Sequence, residues 1–226
     1  MWKRAAGNID PANMAIETAR HPADRVTAAV SAVALVFSAY SLWETSLRRP
    51  DVRLFVPPVI QYASPYQNSN FEMISIPVTL ANEGARTGTV LSIGLEVTDP
   101  QTNETKRFYA ADLGRWTMER TRSGAYQQFA PLSLAGRSSR TESVLFYTRG
   151  DEEKPAQIIR DVGAYQFKLT LDVAEVDDFG WFDRVWRVAA PSVSFSRALR
   201  YYDARAFNNG TLPMYANDWQ ASVSGK

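Results

Sequence analysis

Between Arg25 and Glu44 lies an uncharged run, VTAAVSAVALVFSAYSLW (Val26–Trp43), of about eighteen residues. Wound as a helix, it is apolar or small on every face, which suits lipid better than one side of a soluble core. Pro22 suits a first helical turn and Pro50 discourages continuation. The helix predicted over 22–49 therefore reaches roughly 40 Å, against a hydrocarbon core of about 30 Å. Val26, Val30, Val33, Leu35, Val36, Phe37, Tyr40 and Trp43 are its expected lipid contacts. Tyr40 and Trp43 fit an aromatic belt, and Arg25, Arg48 and Arg49 are placed to reach headgroups. A buried helix of a soluble protein and a cleaved signal peptide are the competing readings. Against the second stand Asp10, Pro11, Glu17 and Asp24 ahead of the run, with no clear A-x-A site behind it. Ala28, Ser31, Ala32 and Ala39 are small enough for a second helix to approach, although no GxxxG is present.

Local charge hardly orients the span, since Arg20 and Arg25 precede it and Arg48, Arg49 and Arg53 follow. A short polar N-terminus before a large C-terminal domain points, by architecture, to a single pass with that domain extracytoplasmic. In segment 1–21, Asp10-Pro11 followed by ANMAIETAR predicts a short helix.

Downstream of the span the periodicity changes from helical to alternating. Strands are expected near 53–62, 73–82, 88–98, 104–110, 127–134, 140–147, 163–174 and 191–199, the spacing of a sandwich. In GTVLSIGLEVTDP, Leu91, Ile93, Leu95 and Val97 oppose Val90, Ser92, Gly94, Glu96 and Thr98. In AYQFKLTLDV, Tyr165, Phe167, Leu169, Leu171 and Val173 share the apolar face. Asn82-Glu83-Gly84, Asp99-Pro100 and Asn103 are residues that reverse a chain. One domain over 50–200 is expected, followed by an aromatic tail, 201–226, packed along it. The tail carries Tyr201, Tyr202, Phe207, Met214, Tyr215 and Trp219, too aromatic for a linker.

The segment IPVTLANEGARTGTVLSIGLEV (Ile76 to Val97) resembles the hairpin of bacterial immunoglobulin-like domains of the CARDB and fibronectin-III type. DVGAYQFKLTLDV (Asp161 to Val173) is similar to their penultimate strand, in which the resemblance implies that Tyr165 is a corner tyrosine bonded back to the chain. It implies an immunoglobulin-like antiparallel β-sandwich, mainly β, preceded by one transmembrane helix. The whole chain resembles a bacterial single-pass membrane protein, which implies an inner-membrane location and no particular activity.

Composition excludes more than it selects. With 25 basic and 24 acidic side chains the formal charge is +1, too little for a broad field that would hold nucleic acid. The absence of cysteine removes thiolate metal sites, disulfides and thiol catalysis. His21 is the sole histidine and sits beside the span, so a Ser-His-Asp triad lacks a base in the β domain. Glu152-Glu153 and Asp177-Asp178 read as solvated turns, and Asp172, Glu175, Asp177 and Asp178 match no EF-hand loop. No phosphate-binding or nucleophile-elbow motif occurs. No catalytic residue, metal or cofactor is expected, and the chain is read as a non-enzyme.

Two segments offer binding chemistry. DDFGWFDRVWR (Asp177 to Arg187) concentrates Phe179, Trp181, Phe182 and Trp186 between two strong strands, as an anchor for a partner or a cap on the core. Arg115 to Gln128 interleaves Arg115, Arg120 and Arg122 with Trp116 and Tyr126, and suits a polar protein surface or stacking on sugars. The leading expectation is a membrane-anchored module that binds another protein as an accessory subunit of a membrane complex. A carbohydrate or envelope-ligand binder is the alternative.

Overall fold

The computed structural model describes residues 22–65, 71–115, 126–148, 150, 154–174, 191–200 and 210–217. The chain forms two compact units, Met1–Thr45 and Ser46–Lys226. In the first, helix α1 (Pro22–Leu42) runs into a π turn over Trp43–Leu47. Every side chain described from Arg25 to Trp43 is exposed, so none of the apolar run is buried among the described residues. Its hydroxyls are satisfied internally: Ser38 Oγ donates to Ala34 O at 2.8 Å and Thr45 Oγ1 to Ser41 O at 2.7 Å. Such back-bonding is how serine and threonine are accommodated where no water is available.

The second unit holds β1 (Val52–Phe55), β2 (Val59–Ala63), β3 (Met73–Asn82), β4 (Gly88–Thr98), β5 (Thr105–Leu113), β6 (Gln127–Gln128), β7 (Leu132–Leu134), β8 (Ser138–Thr148), β9 (Gly163–Val173), β10 (Ser192–Leu199) and β11 (Leu212–Tyr215). The expected immunoglobulin-like sandwich is corrected by their pairing. The order β5-β8-β3-β2-β11-β10-β9-β4 returns to β5 through Gly94↔Tyr109 to Thr98↔Thr105, so eight antiparallel strands close into a barrel. A sandwich and a barrel impose the same period of two on every strand, one face inward and one outward, so alternation alone does not separate them. Closure is completed from the tail. Leu212–Tyr215 inserts between β2 and β10, pairing Leu212↔Tyr62 to Tyr215↔Val59 on one side and Ala198↔Tyr215 on the other.

Three short strands lie off the ring. The expected strand 127–134 divides into β6, which pairs with the end of β5, and β7, which pairs with the start of β4. Together they fill the wedge where β4 and β5 part. The expected strand 53–62 is interrupted at Pro57-Pro58, so that β1 pairs with Thr79–Asn82 and β2 with Met73–Ser75 of the same partner strand. Proline removes the ladder donor and forces that break. In β4 a bulge between Val90 and Ser92 shifts the phase. Val90 therefore joins Ile93, Leu95 and Val97 inside while Leu91 is 42% exposed, reversing the expectation for that pair.

Ile60, Ile74, Ile76, Val78, Leu80, Phe146, Phe167, Leu169, Leu171 and Met214 fill the interior, each at 1% exposure or less. An eight-stranded barrel is just narrow enough to be packed by side chains in this way. At the end where β3 finishes, Asn82 is a buried polar hub. Its Oδ1 accepts from Asp51 N at 3.1 Å and Gly84 N at 3.0 Å, and its Nδ2 donates to Arg86 O at 2.8 Å and to Leu134 O and Ala135 O at 3.2 Å. It thereby ties the chain entering the barrel to the β3–β4 and β7–β8 turns. At the opposite end Tyr165 Oη donates to Asp161 O at 2.9 Å, the back-bond expected of a corner tyrosine.

Candidate functional site

Where β2 ends and β3 and β5 begin, three inward rows each extend by one polar residue. Tyr62 follows Ile60 on β2, Glu72 precedes Ile74 and Ile76, and Lys106 precedes Phe108. All three are wholly buried. Lys106 Nζ donates to Glu72 Oε2 at 2.6 Å and to Ala156 O at 2.8 Å. Tyr62 Oη donates to Glu72 Oε1 at 2.6 Å, and Ile158 N bridges both carboxylate oxygens at 3.0 and 3.1 Å.

The electrostatics follow from burial. Desolvation pushes the Glu72 carboxyl up from its ordinary value, opposed by the Lys106 ammonium and by the hydrogen bonds it accepts. Burial first, and then the Glu72 charge, holds the Tyr62 hydroxyl well above the usual phenol value, so it remains a donor. A carboxylate removed from water needs this many partners, because an unpaired buried charge costs several kcal/mol, roughly 3–5 when one partner is lost.

Chemically the cluster is a fastener. Its donors come from β2, β5 and the β8–β9 loop, and its acceptor sits at the mouth of β3. That loop supplies Ile158 and Ile159, which plug the barrel end at 1% and 0% exposure. Both charged side chains have zero exposure, so the pair is sealed from any solute. Sequence reasoning singled out none of these residues. A signal was present: Lys106 lies in phase with Phe108, and Glu72 with Ile74, Ile76, Val78 and Leu80, so two opposite charges occupy apolar rows.

The residues expected to contact lipid, Val26, Val30, Val33, Leu35, Val36, Phe37, Tyr40 and Trp43, all lie on α1 and its π turn, between 42% and 72% exposed. Arg115 is exposed just beyond β5. Trp116, Phe179, Trp181, Phe182 and Trp186 lie outside the described residues. The connection that contains the last four starts after Val173 and returns before Ser192. Its flanks are fixed by Ala174 N donating to Thr89 O at 2.8 Å and Leu171 N to Pro191 O at 3.0 Å. Among the described residues no group of three or more His, Cys, Asp or Glu side chains is placed to hold a metal ion.

No family model matches the sequence, and no curated protein matches it. Among solved structures, the chain is similar to an ApaA protein of Bordetella pertussis, with a TM-score of 0.32 and 9% identity, covering 75% of this chain and 97% of that one. It is also similar to a CARDB domain from Pyrococcus furiosus, solved in complex with di-metal ions, with a TM-score of 0.23 and 11% identity, covering 76% and 90%. At such scores neither likeness carries weight for fold or chemistry beyond what the strand pairing already shows.

Proposed function

We propose that this is a non-enzymatic, membrane-anchored β-barrel protein that binds another protein as an accessory subunit of a membrane complex. One observation carries the reading. The N-terminal helix is long and apolar enough to cross a membrane, and none of its described apolar side chains is buried. Water would not tolerate so large an uncovered face on a monomer, whereas lipid or a neighbouring helix would. The sealed state of the Glu72–Lys106 pair is in keeping with a structural use of the barrel's buried charges. A bacterial inner-membrane location with the barrel extracytoplasmic is part of the proposal.

Purification of the full chain in mild detergent tests it. A second polypeptide of fixed stoichiometry, together with co-flotation of the chain with vesicles, is the expected result. A monodisperse monomer that binds glycans would favour the carbohydrate reading instead. Loss of residues before Ser46 during export would convert the helix into a signal sequence and overturn the anchor. Protease added outside spheroplasts should cut the barrel domain, and full protection would reverse the orientation.

A further inference from the structure

We draw no further inference here: the strongest candidate, the exposed patch on the outer wall of the barrel where Tyr109 of β5 pairs with Gly94 of β4 beside the ion pairs of Glu96 with Arg107 and Lys168, carries none because nothing in the structure shows what covers it.

Discussion

Glu72 shows how one side chain can hold a barrel end shut. Replacing it with glutamine would leave the Lys106 ammonium buried beside a neutral partner, and Glu72→Gln should lower the unfolding free energy in urea by about 3–5 kcal/mol. Glu72→Met combined with Lys106→Met should recover most of that loss, because it removes the charges together with their desolvation penalty. Tyr62 makes a prediction in pH. Its folded value lies above the 10.0 expected in the unfolded chain. Its contribution is therefore fully present below that value and is lost as pH rises through the folded one, since the unfolded state releases the proton first. Stability measured by denaturant titration should fall above about pH 10, and Tyr62→Phe should flatten the slope; Tyr165 shifts in the same direction and leaves a residual slope. At this scale the sequence was half legible. The back-bond of Tyr165 was readable through the resemblance of DVGAYQFKLTLDV to a penultimate immunoglobulin-like strand, but Glu72 and Lys106 are 34 positions apart and meet only across β8.

Among the elements, β11 carries the most consequence for its length. It seats Leu212 and Met214 in the core and hydrogen-bonds to β2, and ending the chain after Thr211 would expose the facing edges of β2 and β10. The truncated protein should lose cooperative thermal unfolding, as followed by near-ultraviolet circular dichroism. The β3–β4 turn makes a milder prediction. Gly84→Val would drive a side chain into the Arg49 carbonyl, so the entering peptide should detach while the barrel stays folded. Faster tryptic cleavage at Arg48 and Arg49, with an unchanged far-ultraviolet spectrum, would register it. Most strands were legible because apolar and polar residues alternate along them. The phase of β4 before its bulge and the strand in the tail were not, since a bulge depends on the partner strand's register and a four-residue LPMY segment carries too little pattern to announce itself.

For the molecule as a whole, the proposed membrane anchor sets the helix and the barrel in different solvents. Leu35→Arg puts a charge near the centre of α1 at a cost of roughly 2.5–3.5 kcal/mol for insertion, so vesicle co-flotation should weaken while the melting temperature of the barrel is unchanged. A parallel loss of both would mean that the helix is part of the fold. The sequence by itself determined the apolar helix, the alternation of the strands and the turn at Asn82-Glu83-Gly84, because each is written in neighbouring residues and a local period. Tertiary structure alone decided that the sheet closes, that β4 meets β5 and β11 completes the ring, and that Glu72 finds Lys106. Period-two alternation states which face of a strand is buried but not which strand lies beside it, and long-range pairing is chosen by the packing of the whole chain.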